Sequence, residues 1–393
     1  MTRDFSVQMS FRRRLIVVAL AVLVASPLTA QQAALKDLPK PAKEIEDPFT
    51  LITSAVEYGG KLLVADGGET MLSLVDFANG SKVQIGRQGA GPGEYRGLMG
   101  LLRLPGDTVW VMDMQGQNAG RFVVFNPDRK PGATHPFVMM NTADSSTLTG
   151  PFYLDRRGMM YAGSLPLKIA ARNTGEGTGT ANVGFADSTS LVRFDPRAVT
   201  SPRTKIAQLK FVNAGAMKQD VAGTNLKMTM PYMGLEIADG WAMFPDGRIA
   251  IVRGSNYAIE FVLPDGKPGA RTTIAYERHK LGEADKRLEM DAARDLMKEQ
   301  MPMIKKMLPP NWTVQFDLLP PTSWPAEYPP ISIIGIRAAP DGRLWVQRIV
   351  PKRIDREQWD VIDQAGQARC AVATPSEDDD RRSRRRRRVH RAH

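Results

Sequence analysis

The sequence contains very little cysteine. Its single Cys370 has no second thiol to pair with, so burial and strand pairing must hold the chain together without an internal disulfide. Histidine is also scarce, and none of the four histidines stands at zinc-ligand spacing from another candidate ligand. The sequence has no Gly-x-Ser-x-Gly elbow, and Cys370 has no histidine nearby. These absences exclude the common zinc-site and nucleophile motifs.

Long apolar runs are missing except for one near the N-terminus, Leu15–Ala25, which is shorter than the roughly 20 residues that span a bilayer. Three arginines at 12–14 precede this run, and the small residue Ala30 ends the stretch that follows it. The pattern is typical of a cleaved secretory signal peptide over residues 1–30, with an uncleaved anchor as the alternative. We therefore predict a periplasmic or secreted protein of the bacterial envelope, with no transmembrane anchor after cleavage.

The net charge of +11 is concentrated at the chain ends. The first 30 residues carry +3, residues 376–393 carry +4, and the long body between them carries +4. A basic protein often binds nucleic acid or anionic membrane, but the arginine-rich tail has no aromatic residue between its charges on which a base stacks. The sequence therefore predicts no specific nucleic-acid partner. The tail is expected either to be disordered or to result from a shifted reading frame.

Two stretches 95 residues apart read almost alike, FPDGRIAIVR at Phe244–Arg253 and APDGRLWVQR at Ala339–Arg348. Weaker copies stand at Leu104–Asp113 and Gly60–Asp66. Each copy is a turn signal followed by a short β-rich run. Repeats of this size built only of strands are typical of a β-propeller, a ring of four-stranded antiparallel sheets called blades.

Groups of four short apolar runs, separated by turn residues, predict five such blades. They begin near Leu51, Met99, Gly150, Met233 and Ile331. A sixth blade would need about three more strands of 3 to 10 residues, and too few residues remain after 375 to supply them. The predicted fold is therefore all-β, a propeller with five recognisable blades and the sixth missing or incomplete.

Two insertions interrupt the repeat. Residues 172–190 are rich in glycine and threonine and predict a loop. Residues 281–307 have apolar positions at helical spacing, so we expect a helix against one face of the propeller, broken or kinked at Pro302. The predicted domains are a signal peptide (1–30), a linker or N-terminal strand segment (31–47), the propeller with its helical insertion (48–375) and an arginine-rich disordered tail (376–393).

The glycine-rich segment Gly86–Tyr95 lacks the Gly-Lys-Ser/Thr and the following helix of a phosphate-binding loop. We interpret it as a tight connection between the first two blades, where glycine permits close backbone approach. With the Pro-Asp-Gly-Arg turns and Tyr328-Pro-Pro before the last blade, it resembles the bacterial six-bladed β-propeller proteins akin to NHL-repeat propellers. The resemblance covers about residues 48–373. It implies a secreted or periplasmic propeller in a family mostly of uncharacterised function. Members of that family complete a sixth blade with both chain ends, and this sequence departs from that pattern.

Residues at strand ends are the predicted ligand-binding residues. Arg253 and Arg348 occupy equivalent places at the ends of second strands, while Arg121 and Tyr257 open third strands. The arginines can ring a channel mouth and hold an anion. Salt bridges along blade edges are the alternative interpretation.

Three residues are candidate metal ligands, Glu94, Asp113 and Asn256, and Asp66 is a weaker fourth. Carboxylate and amide oxygens suit calcium, and calcium propellers with lactonase or lyase activity use such residues in the central channel. Ordinary turn residues are the competing interpretation. The sequence thus indicates no organic cofactor and leaves calcium open.

We expect an exported binding or interaction module whose site lies over the central channel, because rigid rings with variable loops suit recognition. The ligand is expected to be an unidentified protein or a small molecule such as a saccharide. The alternative is a calcium-dependent hydrolase or lyase, so whether the protein is an enzyme stays open. A calcium-dependent rise in melting temperature and a channel cluster of three or more oxygen ligands would favour the enzyme.

Overall fold

The computed structural model describes residues 35–374, except 40–41, 44, 46–48, 115–118, 142–144, 176–177, 199–200, 212–214, 310 and 355. The predicted signal peptide (1–30) and the arginine-rich tail (376–393) lie outside the described residues. Within the described part of the chain, no helix is both long enough and apolar enough to cross a membrane.

Strands dominate the first third of the chain. They are β1 (Leu35–Asp37), β2 (Ile52–Tyr58), β3 (Lys61–Asp66), β4 (Met71–Asp76), β5 (Ser81–Ile85), β6 (Arg87–Gln88), β7 (Glu94–Tyr95), β8 (Leu98–Leu104), β9 (Thr108–Met114), β10 (Ala119–Phe125) and β11 (Pro131–Val138). The short β6 and β7 pair in parallel between two antiparallel meanders, β2–β5 and β8–β11.

The remaining two thirds contain more strands and one helix. They are β12 (Met140–Asn141), β13 (Ser146–Leu154), β14 (Met160–Gly175), β15 (Thr178–Phe185), β16 (Ser188–Phe194), β17 (Thr204–Lys210), β18 (Met217–Ala222), β19 (Asn225–Pro231), β20 (Gly240–Met243), β21 (Ile249–Arg253), β22 (Ala258–Val262), β23 (Pro268–Thr273), α1 (Glu283–Met307), β24 (Thr313–Leu319), β25 (Ile331–Ala338), β26 (Leu344–Arg348), β27 (Gln358–Ile362) and β28 (Ala368–Ala373).

Four sheets are discrete four-stranded blades, β2–β5, β8–β11, β20–β23 and β25–β28, and β1 joins the last of them in parallel beside β28. The prediction of five blades, or of six, is therefore wrong. The predicted third blade belongs to a nine-stranded sheet, because the 16-residue β14 is too long for one blade. Residues 160–164 of β14 pair with β16, and residues 167–175 pair with β15. The sheet then continues through β18 and β19 to β24.

The glycine- and threonine-rich segment 172–190 is not the predicted loop. Its residues complete β14, form β15 and begin β16. Threonine and valine favour strands, and β15 gains hydrogen-bonded neighbours on both sides, β14 and β18. Pairing on both edges therefore outweighs the local preference of glycine for turns.

The sheets have a propeller-like arrangement. We call β2, β8, β13, β20 and β25 the first strands of the five large sheets, leaving aside the short β1 and β12. They are neighbours in chain order, β2 with β8, β8 with β13, β13 with β20, and β20 with β25. Buried apolar clusters fill the space between consecutive sheets; the cluster between the first two includes Tyr58, Leu63, Val111 and Phe125. Each sheet thus covers the apolar face of its neighbour, which is the arrangement that radially stacked meanders require.

The Pro-Asp-Gly turns have the predicted geometry. In the turn between β20 and β21, the Asp246 carboxylate accepts the backbone N–H of Arg248 at 3.0 Å, and Gly247 has a φ of +89°. The turn before β26 repeats both features, with an Asp341 to Arg343 distance of 3.0 Å and a φ of +82° at Gly342. Aspartate fixes the turn and glycine supplies the left-handed conformation.

The helix α1 packs against the molecule through a small apolar cluster that contains Met290 together with Tyr232, Leu235 and Tyr328. It does not end at Pro302 but continues to Met307, because proline removes one backbone N–H from the helix and leaves the other bonds of its last turns in place. The helix thus covers the region next to the last blade.

Candidate ligand-binding site

A cavity of about 550 Å³ lies where the first strands of the five large sheets meet. Ser54, Leu101, Phe152, Trp241 and Ile333 line it, one each from β2, β8, β13, β20 and β25. The lining is mostly apolar. The repeat produces this cavity, since every sheet contributes its first strand to the same place.

Few polar groups face the central cavity. The Thr189 hydroxyl is buried and has no hydrogen-bond partner among the described residues. Arg337 also lines the cavity and donates hydrogen bonds to the carbonyls of Ile334 at 2.7 Å and Ile336 at 2.9 Å. The Thr189 oxygen is almost fully covered by protein, so Arg337 is better placed than Thr189 to meet a polar atom of a ligand.

The central cavity adjoins a larger cavity on each side. Tyr153 also lines a cavity of about 710 Å³ beside the Pro-Asp-Gly turn of residues 245–247. Ile334, which is 77% exposed, also lines a cavity of about 710 Å³ beside α1. We call these two spaces the turn-side cavity and the helix-side cavity.

The turn-side cavity is rich in arginine. Arg103, Arg156, Arg157 and Arg193 line it. Arg103 is neutralised by Glu57 at 2.9 Å and Asp107 at 3.0 Å, whereas Arg156 and Arg157 are exposed and make no ion pair with a described residue. Two aspartates, Asp155 and Asp246, also line the cavity, and Asp246 is neutralised by Arg248 at 2.7 Å. The arginines outnumber the aspartates, so this mouth of the central cavity favours an anionic group.

Arg121, a predicted ligand-binding residue, hydrogen-bonds to the glycine-rich connection between the first two blades. It pairs with Asp113 at 2.9 Å and donates hydrogen bonds to the carbonyls of Glu94 at 2.8 Å and Gly89 at 3.2 Å. Glycine is required at Gly86, where φ is +67° and an added Cβ would lie 2.4 Å from a backbone oxygen. These contacts support the interpretation of this segment as a tight connection between blades.

Arg253 and Arg348 also have internal partners. Arg253 pairs with Asp239 and Glu260, each at 2.7 Å. Arg348 is 6% exposed and donates a hydrogen bond to the Pro330 carbonyl at 2.7 Å. Sequence reasoning missed these acidic partners, because Asp239 lies 14 residues from Arg253 and nothing in the local pattern connects them.

Tyr257 is fully buried and lies beside Arg348. Its hydroxyl donates to Asp360 at 2.6 Å, and the Arg348 guanidinium lies 5.5 Å from its ring centroid. Burial raises the pKa of Tyr257 well above its ordinary value, and the Asp360 carboxylate adds to the effect. The structure therefore joins these two predicted residues. Arg253 lies in the same blade as Tyr257 but has its own acidic partners, and Arg121 lies in a different blade. Ligand binding by any of the four stays a prediction.

Four charged residues occupy the same place in the four discrete blades and make the same kind of contact. In each blade, the charged side chain at or next to the end of the second strand hydrogen-bonds to the residue directly before the first strand. Asp66 accepts the N–H of Leu51 at 3.0 Å, and Asp113 accepts that of Gly97 at 2.8 Å. Arg253 binds Asp239 and Arg348 binds Pro330 in the same way. We call this place the latch position.

The predicted metal ligands do not form one cluster. The Glu94 carboxylate accepts the Gly91 N–H at 2.8 Å and pairs with Arg87 at 2.6 Å, and these contacts hold its pKa below the ordinary value. Asp113 occupies the latch position of the second blade, and Asn256 lies exposed in a turn of another blade. No group of three side chains arranged to hold a metal occurs among the described residues. A metal-binding role of these residues stays a prediction.

Sequence reasoning missed two buried acids on α1, beside the helix-side cavity. Glu289 lines this cavity, and its Oε2 accepts the Tyr232 hydroxyl at 3.0 Å. Burial raises the pKa of Glu289. Asp285, one turn earlier, accepts the Gly282 N–H at 3.1 Å and pairs with Arg353, and these contacts lower its pKa. Helical spacing alone does not show which acids of an exposed-looking helix are buried.

Comparisons with known proteins add little. No protein-family model and no curated protein matches the chain. Among solved structures, it is similar to a member of the DUF4221 family from Bacteroides vulgatus, with 10% identity over 88% of this chain and 86% of that one, and a TM-score of 0.40. It is also similar to regucalcin, a calcium-binding protein from Agrobacterium tumefaciens, with 10% identity over 87% and 80% of the two chains, and a TM-score of 0.38. The PQQ-bound aldose sugar dehydrogenase from Streptomyces coelicolor has 16% identity over 87% and 85%, and a TM-score of 0.35. Similarities at this level show neither a family nor a function.

Proposed function

We propose that the protein is an exported binding module, acting in the bacterial periplasm or outside the cell, that holds a small ligand in the central cavity. The ligand has an apolar body and an anionic group at the turn-side mouth. The observation that carries this proposal is the mostly apolar cavity of about 550 Å³ enclosed by the first strands. Sites of this kind, apolar with a few converging polar groups, are typical of small-molecule binding.

Binding is favoured over catalysis because the lining offers recognition groups and no reactive set. Arg337 can orient a ligand through hydrogen bonds, and Trp241 and Tyr153 present aromatic surface. Among the described residues of the lining, Asp239 is the one carboxylate, and the Arg253 guanidinium already neutralises it at 2.7 Å. General acid–base work needs a carboxyl group free to exchange a proton with the substrate.

The test uses 8-anilinonaphthalene-1-sulfonate, an aromatic anion that fluoresces in apolar surroundings. Gly100 lines the cavity, and an added Cβ there meets only Met112 Sδ, at 3.7 Å. Gly100→Leu should fill the cavity and weaken binding by at least about tenfold, or ~1.4 kcal/mol. Gly100→Ala should bind the probe nearly as the wild type does.

Both variants must keep the wild-type melting temperature within a few degrees, so that unfolding is not mistaken for loss of binding. Equal affinity of the Gly100→Leu variant and the wild type would place the probe elsewhere and overturn the proposal. The same protein, melted in calcium chloride and in a chelator, tests the calcium-dependent hydrolase or lyase. A calcium-dependent rise in melting temperature would favour that enzyme, and an unchanged one the binding module.

A further inference from the structure

Glu289 is a buried acid in the wall of the helix-side cavity. This cavity of about 710 Å³ lies between α1 and the segment that follows β26, and it is separate from the central cavity in its lining except at Ile334. The Glu289 side chain is 6% exposed. Burying a carboxylate costs free energy unless a positive charge and hydrogen bonds compensate it.

The hydrogen bonds and the positive charge that the protein supplies to the Glu289 carboxylate do not fully compensate its burial. Oε2 of Glu289 accepts the Tyr232 hydroxyl at 3.0 Å, and Lys352 Nζ lies 3.9 Å from the same oxygen, beyond hydrogen-bond distance. Lys352 is 54% exposed and is therefore largely solvated. No described residue donates a hydrogen bond to the second oxygen, Oε1. One carboxylate oxygen is thus left for a donor from the cavity.

The other charges around this carboxylate already have partners. Asp285, one turn earlier on α1, pairs with Arg353. Among the cations of the lining, Arg348 pairs with Asp360 at 3.5 Å and Arg356 with Asp37 at 3.0 Å. Tyr328, buried beside the two acids, is neutral. Lys352 is therefore the one cation that faces Glu289 from the described residues.

The rest of the lining near Glu289 is mainly hydrocarbon. Leu235, Ile349, Val350 and Ile354 line the cavity together with Ala292 and Ala293 of α1. Glu357 also lines the cavity, but it is exposed to solvent, whereas Glu289 is buried. An apolar wall with one buried, under-compensated carboxylate selects a ligand that carries one positive charge on a hydrocarbon body.

We propose that the helix-side cavity binds a primary alkylammonium ligand, whose N–H groups donate to Oε1 of Glu289 while its hydrocarbon chain contacts Leu235 and Ile349. Lys352 occupies the neighbourhood of the carboxylate in the absence of ligand and competes with it. The site is distinct from the central cavity, so it does not depend on the proposed function.

The affinity for the alkylammonium ligand should depend on pH. The ligand needs ionised Glu289, and burial raises the pKa of this residue above its ordinary 4.5. Affinity should therefore fall as the pH drops through the pKa of the folded protein. Tyr232, Tyr328, Lys352 and Asp285 surround the carboxyl group. Burial raises the pKa of both tyrosines, so they stay neutral in the range where Glu289 titrates. Asp285 has a lowered pKa and stays ionised in the range where Glu289 titrates.

The experiment is calorimetric titration of the full chain with n-hexylamine, with 1-hexanol as the neutral probe of the same length. The wild type should bind the amine more tightly than the alcohol. Glu289→Gln should lose at least about tenfold in amine affinity, the size expected for a charge-assisted hydrogen bond, and leave the alcohol unaffected. Lys352→Ala should bind the amine more tightly than the wild type, which a merely structural role of this lysine does not predict.

Glu299→Gln, an exposed change on the same helix, should leave both affinities unchanged. Gly100→Leu should also leave amine binding unchanged, which separates this site from the central cavity. The proposal is overturned if the wild type does not prefer the amine, if Glu289→Gln binds it as the wild type does, or if Lys352→Ala weakens binding. A Glu289→Gln protein that melts as the wild type does makes these readings unambiguous.

Discussion

At the residue scale, the latch position explains why the repeat ends in a charge. Aspartate there accepts backbone N–H groups and arginine donates to a carbonyl or a carboxylate, so either charge fixes the residue before the first strand. Asp66 is the most fully bonded case, because its carboxylate also accepts the N–H groups of Thr50, Gly68 and Glu69. A buried carboxylate with several backbone donors is a strong local constraint.

We predict that Asp66→Asn lowers the free energy of unfolding by about 2–3 kcal/mol at pH 7, because a charged acceptor of several hydrogen bonds becomes neutral. Burial would raise the pKa of Asp66, but the N–H donors hold it below its ordinary 3.8. A lowered pKa in the folded state gives stability that is present above the unfolded pKa and lost as the pH falls through the folded one.

Urea unfolding measured from pH 7 down to pH 3 checks this. The difference between wild type and Asp66→Asn should be constant near neutral pH and shrink below about 3.8, the ordinary pKa of the group. Asp107→Asn is the matched control, since Asp107 makes an exposed pair with Arg103, and it should cost less than about 1 kcal/mol. A difference for Asp66→Asn that did not change with pH would contradict the role given to its charge.

At the element scale, the Pro-Asp-Gly turns fix how neighbouring strands of a blade connect, because they require a left-handed backbone at glycine. Gly247 has a φ of +89°, and the space around it is open enough that an added Cβ meets Pro264 at an ordinary 3.5 Å. The cost of a side chain there is therefore a cost of backbone conformation rather than of a clash.

Gly247→Ala should lower the free energy of unfolding by about 1–2 kcal/mol, the cost of placing an L-residue in the left-handed region. Gly184→Ala is the matched control: its φ lies outside the positive region and an added Cβ meets Lys168 Cβ at 3.5 Å. The control should be neutral or stabilise by up to about 1 kcal/mol, because alanine restricts the unfolded chain. Chemical unfolding of both variants measures the difference, and equal effects would refute the conformational argument.

The sequence predicts the elements well where the repeat is regular. The Pro-Asp-Gly turns, the four discrete blades and a helix within residues 281–307 all follow from turn chemistry and periodicity. The merged sheet does not, because strand length and pairing across β14, β15 and β24 depend on distant partners. The same limit applies to the site. The charged ends of strands are visible in the sequence, but their internal partners and the burial of Glu289 depend on contacts across 14 to 57 residues.

At the scale of the whole molecule, the two ends of the described chain meet in one sheet. Leu35 to Asp37 pair in parallel with Ala371 to Ala373, and Arg356 adds an ion pair to Asp37 at 3.0 Å. Members of the family that the sequence resembles complete a sixth blade with both chain ends, and the sequence departs from that pattern. The ends of the described chain share the last of the four discrete blades. The first strands nevertheless converge on one cavity, and the proposed ligand site depends on this convergence.

A crystal structure with bound 5-bromonaphthalene-1-sulfonate would show whether a ligand lies where the first strands converge, because the anomalous signal of bromine locates it. We expect a bromine peak inside the cavity bordered by Ser54, Leu101 and Trp241, with the sulfonate toward the arginines of the turn-side cavity. Bromine peaks confined to the outer surface, or first strands that do not surround a common space, would contradict it.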